Sequence, residues 1–290
     1  MRPSEPLYFK LRGLHYHVRH WPGAAERKIV LLHGWMDVSA SFQFMVDALS
    51  PQWDVYAPDW RGYGLTDWSG ADSYWFPDYI ADLDALLDRI QPGAPVNLVG
   101  HSLGANVAGL YAGIRPERVA KFVNLEGFGM PATKPEQAPK RYARWLEELR
   151  VEPRWRPYAS YAALADRLQQ NNTRLTRERA EFLARYWGKD ALEGGVVLRS
   201  DPAHKLVNAT LYRLEEARAC WERATAPVLW IDAAESETRT RMKLSAAELA
   251  ARRSAFRNMK HETVEHAGHM LHHDQPERVA RLIESFLQGS

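Results

Sequence analysis

A serine between two glycines is the first group in this sequence whose type and spacing could do chemistry. Gly100, Ser102 and Gly104 form the pattern G-x-S-x-G, directly between the strand-like run VNLVG and the helix-like run LGANVAGLYAGI. In such a turn the glycines relieve crowding around a serine held in a strained conformation, with its hydroxyl exposed near a helix N-terminus. The pattern predicts a nucleophilic serine at residue 102. The alternative is a tight turn whose serine only caps the helix.

A serine hydroxyl is a weak nucleophile until a base takes its proton, and the C-terminal segment contains four histidines. His266, His269, His272 and His273 lie in EHAGHMLHHDQPE, residues 265–277. Only His269 follows a flexible Ala-Gly pair after a predicted strand and precedes the last helix, so we expect it to be the base. Two alternatives stay open: a solvated loop, or a metal site based on the H-x-x-H spacing, which lacks an accompanying cysteine or carboxylate set.

Acyl transfer also needs N–H donors for the oxyanion that forms on the attacked carbonyl. The backbone N–H of Leu103, directly after the serine, is one candidate. The other is the backbone N–H of Trp35, in the turn HGW that ends the buried run KIVLLHG at residues 28–34. Because HG after a buried strand can also be a simple loop opening, the prediction for Trp35 depends on the presence of GHSLG.

The segments that must position these groups alternate between strand and helix patterns. LYFKLR and LHYHVRH flank Gly13 as a predicted hairpin. Further predicted strands are residues 28–34, 53–58, 96–100, 119–126, 226–232 and 261–266, and the predicted helices are residues 76–90, 103–114, 245–256 and 276–287. The strands are short apolar runs, and the helices carry apolar residues at helical spacing. Such alternation predicts an α/β fold with a mostly parallel sheet and helices on both faces.

Residues 130–224 interrupt this alternation and are predicted to form a helical cap over one end of the sheet. Amphipathic stretches at residues 138–149, 160–170 and 176–187 have no convincing strand between them. The α/β core is therefore expected to comprise residues 1–129 and 225–290.

The predicted cap is basic and rich in aromatic residues. Between residues 134 and 223, Lys and Arg number 18 against 13 Asp and Glu, interleaved with tryptophans and tyrosines. We expect these rings to form a small core between cap and sheet while the arginines face water. The alternative is a surface that binds nucleic-acid bases, an acidic partner or an anionic substrate.

The composition excludes several classes of protein. Hydrophobic residues make up 46% and charged residues 26% of the chain, as in ordinary globular domains. The apolar runs are too short to cross a bilayer and the N-terminal segment lacks the apolar centre of a signal peptide, so we expect a cytoplasmic protein without a membrane partner. The single Cys220 excludes an internal disulfide. A net charge of +2 creates no general attraction for nucleic acid, and the oligomeric state stays open.

Five segments, in this order, resemble the α/β-hydrolase fold family along essentially the whole chain. They are HGWMDVSASF (33–42), DWRGYGLTD (59–67), GHSLGANVA (100–108), RPERV (115–119) and AGHMLHHDQPE (267–277). HGWMD, NNTRLT (171–176) and GGVVLRSDP (194–202) resemble the serine hydrolase-like subfamily. The resemblance implies a mostly parallel eight-stranded sheet with helices on both faces and a helical cap inserted after strand six. It also implies hydrolysis through an acyl-serine without a cofactor or metal.

The chain departs from this family at the acid that orients the histidine. In most members that acid is an aspartate after the seventh strand, and the matching position here is Ser236. Some members, including haloalkane dehalogenases, carry the acid at the end of the sixth strand, where this chain has Glu126. Neighbouring parallel strands end at the same face of a sheet, so we expect Glu126 to be the acid. Asp232, Glu235 and Glu237 stay open as alternatives.

These residues together predict a serine hydrolase, most simply a carboxylesterase that cleaves a small or medium ester. Ser102 is the expected nucleophile, His269 the base and Glu126 the orienting acid. Because a protonated imidazole cannot accept a proton, turnover is expected to fall below about pH 6.5. Two alternatives stay open: a non-catalytic protein of the same fold that binds through the basic, aromatic cap, or a related serine reaction on lactones, amides or carbon–carbon bonds.

Overall fold

A computed structural model describes residues 1–289 and contains one sheet of eight strands. In chain order its strands are β1 (Glu5–Leu11), β2 (Leu14–Trp21), β3 (Ile29–Leu32), β4 (Val55–Pro58), β5 (Val96–His101), β6 (Val119–Leu125), β9 (Val228–Ala233) and β10 (Met259–Val264). Two short strands, β7 (Gly188–Asp190) and β8 (Val196–Leu198), pair separately. Every residue of β3, β4, β5 and β9 is buried, as expected for strands covered by helices on both faces.

The strand order across the sheet is β1-β2-β4-β3-β5-β6-β9-β10. Strand β2 pairs antiparallel with β1 and β4, and the remaining pairs are parallel. The predicted hairpin around Gly13 and the mostly parallel eight-stranded sheet are therefore confirmed. In the register of the central strands, His101 lies beside Leu125, and Leu125 lies beside Ile231. The residues that directly follow β5, β6 and β9 must therefore lie close together.

Helices cover both faces of this sheet. They are α1 (Gln43–Ala48), α2 (Phe76–Ile90), α3 (Leu103–Ile114), α4 (Ala138–Glu148), α5 (Tyr161–Asn171), α6 (Arg177–Trp187), α7 (Leu214–Trp221), α8 (Glu237–Arg241), α9 (Ala246–Arg253), α10 (Leu271–Asp274) and α11 (Pro276–Gln288). Along β5, Leu98 packs with residues of α2 and α3, whereas Val99 packs on the other face with residues of α1 and α11. Within residues 1–289, each helix is too short or too polar to cross a membrane.

The region between β6 and β9 contains the three predicted helices, α4 to α6, and a strand pair that was not predicted. Strand β7 runs antiparallel to β8, with Gly188 opposite Leu198. The expectation of a middle region without strands is therefore wrong. Each of these strands has only three residues, and β7 reads Gly-Lys-Asp, which lacks the β-branched and aromatic residues that indicate a strand. The limits of the cap, residues 130–224, stay a prediction.

Close packing of α3 against the sheet depends on the second glycine of GHSLG. A Cβ added at Gly104 would lie 2.1 Å from the backbone oxygen of Leu32 at the end of β3. A side chain would therefore push α3 away from the sheet, and with it the turn that carries Ser102.

We expect Gly104→Ala to lower the free energy of unfolding by about 3 kcal/mol or more, because the added methyl group meets backbone that cannot rotate away. Chemical denaturation followed by circular dichroism measures this change. Gly93→Ala is the control: its Cβ would enter open space, and only its positive φ of 66° adds a cost of about 1 kcal/mol. Equal stability of the two variants would contradict the packing argument.

Several histidines are buried in the core, where removal from water disfavours their charged form. Burial lowers the pKa of the His33 imidazole to about 4 and lowers the pKa of His204 and of His273 to about 3. Burial likewise lowers the pKa of His101 and of His272 well below the ordinary value. These imidazoles are therefore neutral in the folded chain and take up protons near pH 6.5 only when the chain unfolds.

The free energy of unfolding should therefore decrease as the pH falls below about 6.5. Each such histidine contributes a loss of about 1.4 kcal/mol per pH unit, because the unfolded chain binds the extra proton. Burial raises the pKa of Asp37 to about 7, and this group acts in the opposite direction because the folded chain binds its proton first. Urea titrations at pH 7.5 and pH 5.5 measure the slope. His273→Gln should reduce it, because that imidazole is buried; identical slopes for the variant and the unaltered protein would contradict the explanation.

Candidate active site

Ser102 occupies the turn between β5 and α3, as the sequence pattern predicts. Its backbone has φ 50° and ψ −112°, in a part of the map that residues other than glycine rarely adopt. The turn is crowded, since a Cβ added at Gly100 would lie 2.5 Å from the backbone of Ala105. The Ser102 N–H donates to the carbonyl oxygen of Leu125 on β6 at 2.9 Å. These contacts hold the half-buried serine at the edge where the central strands end.

The imidazole of His269 reaches this serine from the loop between β10 and α10. Its Nε2 atom lies 3.0 Å from Oγ of Ser102. The backbone of the loop is held from two sides: the His269 N–H donates to Oε2 of Glu237 at 3.1 Å, and the His269 carbonyl oxygen lies 2.8 Å from Nε2 of His101. This arrangement allows the imidazole to accept the serine proton.

The other three histidines of the C-terminal segment make no hydrogen bond to the serine. His266 is exposed, whereas His272 and His273 are buried beside α1 and the preceding turn. The H-x-x-H spacing does not bring two ligands to one point, because the His269 ring contacts Ser102 while His272 lies 4.0 Å from Asp37.

Glu126 follows the last residue of β6 and lies under the imidazole. Its Oε2 atom is 3.2 Å from Nδ1 of His269, and its Oε1 atom accepts the N–H of Ala233 at 2.7 Å. The hydroxyl of Ser236 also donates to this carboxylate. Burial raises the pKa of Glu126 above its usual value, and the hydrogen bonds from His269, Ser236 and Ala233 act in the opposite direction. The carboxylate is thus surrounded by donors that favour its charged form.

The three alternative carboxylates lie elsewhere around the end of β9. Asp232 is buried and accepts the indole N–H of Trp230 at 2.6 Å, with His261 3.0 Å away. Glu235 pairs with Arg174. Glu237 contacts the backbone of His269 but not its ring. Among the candidate acids, only Glu126 is within hydrogen-bond distance of the imidazole. Its catalytic role stays a prediction.

The turn HGW lies directly against the serine. A Cβ added at Gly34 would be 3.2 Å from Cβ of Ser102. The side chain of Trp35 points outward, with 56% of its surface exposed, and its indole N–H donates to the carbonyl oxygen of His204 at 3.3 Å. Leu103 is the first residue of α3, and the first N–H groups of a helix lack partners within it. The assignment of the Trp35 and Leu103 N–H groups to the oxyanion stays a prediction.

Behind this turn, Asp37 ties the chain after HGW into a compact shape. Its carboxylate accepts the N–H of Val38 at 2.8 Å and the hydroxyl of Ser41. One ligand atom each from Asp37, His101 and His272 lies within 4.8 Å of the others, and all three residues are buried. Two imidazoles and a carboxylate are a donor set that transition metals accept. This cluster is the metal-capable group among the described residues, and it excludes Ser102 and His269.

Two cavities lie beside the helices and loops that carry the site residues. A small one of about 190 Å³ includes His269, Gly268 and Met270 in its wall. A larger one of about 700 Å³ is mainly apolar and lies between α2, α3 and α7, with Phe76 and Leu110 in its wall. Neither Ser102 nor His269 lines the larger cavity.

Two side chains that hold the site together were not predicted. Ser236 donates to Glu126, and His101 contacts the His269 carbonyl oxygen. The absence of an aspartate at residue 236 marked that position as unusual, but it did not predict the contact between Ser236 and Glu126. The contact of His101 depends on where the distant loop around residue 269 lies, and local sequence carries no signal for that.

Comparison with known proteins agrees with this architecture. The family model described as alpha/beta hydrolase fold matches residues 28–276. A serine hydrolase-like protein of Danio rerio is 26% identical over 276 residues, covering 92% of this chain and 83% of the relative. Serine hydrolase-like protein 2 of Homo sapiens is 24% identical, covering 94% of this chain and 91% of the relative.

Among solved structures, the thioesterase domain from the curacin biosynthetic pathway superposes with a TM-score of 0.86 at 23% identity. The match covers 98% of this chain and 99% of that domain, and it shows a shared fold. With the nucleophile turn, the sheet order and the family model in agreement, the chain belongs to the α/β-hydrolase fold family.

Proposed function

We propose that this protein is a serine carboxylesterase that cleaves a small or medium carboxylic ester through an acyl-serine intermediate. One observation carries the proposal: Nε2 of His269 lies 3.0 Å from Oγ of Ser102 while Nδ1 of the same ring lies 3.2 Å from the Glu126 carboxylate. A hydroxyl that contacts an imidazole, which in turn contacts a buried carboxylate, has the arrangement of a Ser-His-Glu triad. Residues 130–224 are proposed to cap this site.

Each group has a defined part in the proposed reaction. His269 takes the Ser102 proton as the oxygen attacks the ester carbonyl, and the N–H groups of Trp35 and Leu103 stabilise the oxyanion. The protonated imidazole then gives its proton to the departing alcohol. In the second half, His269 removes a proton from water as the water oxygen attacks the acyl group, and the imidazolium then returns that proton to the Ser102 oxygen as the carboxylic acid leaves. Glu126 accepts the Nδ1–H throughout and stabilises the imidazolium, so its carboxylate must stay ionised.

The acyl-serine mechanism does not by itself distinguish esters from related acyl compounds. One solved structure with the same fold is a thioesterase domain, which acts on a thioester. Lactones and amides can also be cleaved through an acyl-serine intermediate. We favour a carboxylic ester over an amide because an alcohol leaves from the tetrahedral intermediate more easily than an amine. A panel of ester, thioester, lactone and amide substrates separates these reactions.

A non-catalytic binding protein of the same fold is the second candidate, and the charge of the middle region favours it. Between residues 134 and 223 there are 18 Lys and Arg against 13 Asp and Glu. The aromatic rings are only partly available for binding: Trp221 is buried and Trp187 donates to Ser41, whereas Tyr142 is exposed. In such a protein Ser102 would not react as a nucleophile.

A fluorophosphonate probe should label the folded protein covalently at Ser102, because the imidazole activates that hydroxyl and not an ordinary surface serine. Mass spectrometry of peptides locates the adduct. Ser102→Ala should abolish labelling, and Ser69→Ala, in an exposed loop, should leave it unchanged. Absence of labelling in protein with a native circular dichroism spectrum would reject the esterase and favour the binding protein.

Glu126→Gln should reduce kcat/KM for a p-nitrophenyl ester by roughly 10³- to 10⁴-fold, because an amide holds the wrong imidazole tautomer and does not stabilise the imidazolium. Glu235→Gln is the matched control, since that carboxylate is exposed and pairs with Arg174. Thermal denaturation shows whether each variant is folded. Full activity of Glu126→Gln together with loss of activity in folded Asp232→Asn would move the acid to the end of β9.

A further inference from the structure

Three arginines from distant parts of the chain line one small cavity between the main sheet and the region that follows α4. Arg19 lies in β2, Arg185 lies in the last turn of α6, and Arg199 follows β8. The cavity has a volume of about 160 Å³, which is enough for a group of several heavy atoms, since one water takes up about 30 Å³ of the liquid. The triad residues Ser102, His269 and Glu126 are not part of its wall.

None of these three guanidinium groups has a carboxylate within 4.0 Å among residues 1–289, in contrast to arginines such as Arg174 and Arg177. Arg19 donates to Oγ of Ser4 at 2.8 Å and stacks on the ring of Tyr186, with its Cζ atom 4.6 Å from the ring centroid. Its Nε atom is buried and makes no hydrogen bond.

Arg199 uses its Nε–H for the carbonyl oxygen of Gly188 at 2.8 Å. Arg185 is exposed, and no described group accepts a hydrogen bond from it. The three guanidiniums therefore keep unused donors and uncompensated charge at one cavity. A guanidinium is a planar fork of donors that matches a phosphate or carboxylate.

Asp59 is the one carboxylate in the wall, and its oxygens are already used. They accept the Ser39 N–H at 2.7 Å and the Leu65 N–H at 2.9 Å, and one lies 2.8 Å from Nδ1 of His17. Burial acts to raise the pKa of Asp59, but its hydrogen bonds, first the one from His17 and then the one from the Leu65 N–H, outweigh it and hold the pKa well below its usual range. Asp59 therefore carries a negative charge and leaves the cavity with a net charge of two positive.

We propose that this cavity binds a phosphate group, as inorganic phosphate or as a small phosphate monoester. A phosphate dianion would neutralise the net charge and offer several oxygens to the free donors, whereas a carboxylate would leave one positive charge uncompensated. Bound phosphate would link Arg19 of the sheet to Arg185 and Arg199 of the middle region. It would therefore hold these two parts of the chain together at this point.

The position of the cavity gives such binding a structural consequence. Residues 38–40, which directly follow HGWMD, form part of its wall. Trp187, two residues after Arg185, donates its indole N–H to Ser41 at 3.2 Å, and Ser41 bonds to Asp37. Phosphate would add a contact beside this existing link between α6 and the turn next to Ser102.

Isothermal titration calorimetry with inorganic phosphate, and separately with phenyl phosphate, tests the proposal without relying on enzymatic activity. We expect saturable binding at one site that weakens as sodium chloride is raised, because the contacts are between charges. Tighter binding of phenyl phosphate would identify a monoester as the ligand, and equal or weaker binding would identify free phosphate. Benzoate, with one negative charge, should bind at least tenfold more weakly than phenyl phosphate.

The variants Arg185→Gln and Arg199→Gln should each weaken phosphate binding at least tenfold. Arg185→Gln is the safer test of the two, because this exposed side chain makes no hydrogen bond whose loss would unfold the chain. Arg177→Gln, at the start of the same helix and already paired with Asp166 and Glu181, should bind as the unaltered protein does. No saturable heat, or equal affinity of Arg185→Gln and Arg177→Gln, would overturn the proposal.

Discussion

The buried carboxylate of Glu126 is the constraint around which the site is organised. An ionised carboxylate away from water is costly unless donors surround it, and the cost of leaving one unpaired is several kcal/mol. Here the three donors come from two separate segments: the N–H of Ala233 and the hydroxyl of Ser236 at the end of β9, and the ring of His269 after β10. The end of β9 and the loop after β10 must therefore both close on the end of β6. Parallel pairing of β6 with β9 makes this possible, because it places Leu125 beside Ile231 and brings both carboxyl ends together.

The same edge of the sheet also concentrates backbone strain. Six residues other than glycine have positive φ within residues 1–289, and four of them lie in the turns around the site: Met36, Ser102, Glu126 and His266. Each such conformation costs about 1 kcal/mol or more and persists only where surrounding contacts fix it. The strain at Ser102 is held by its N–H bond to Leu125, and the strain at Glu126 by the bonds to its carboxylate. The core therefore stabilises a set of turns that would not form alone.

Much of this arrangement could be predicted from local patterns, and the failures have a common cause. The helices at residues 76–90 and 103–114 were predicted to the residue, because their apolar spacing and flanking turn residues are strong local signals. Strands β7 and β8 were missed because three residues are too few to show the alternation of apolar and polar residues that indicates a strand. Helices α1 and α7 were also not anticipated, since each is short.

Contacts between distant segments were the hardest to anticipate. The pairing of His101 with the His269 carbonyl oxygen and the meeting of Arg19, Arg185 and Arg199 join residues that only the folded topology brings together. The position of Glu126 was predictable because the order of parallel strands places it beside Ser102.

The contact between Ser236 and Glu126 also explains why residue 236 is a serine in this chain. Ser236 touches the Glu126 carboxylate, so an aspartate there would set a second negative charge against the first in a buried site. Two carboxylates so close cannot both stay ionised, and one would take up a proton. For the proposed triad, an acid after β6 and an acid after β9 are therefore alternative solutions to one electrostatic problem, and the hydroxyl at residue 236 favours the charged form of the Glu126 carboxylate.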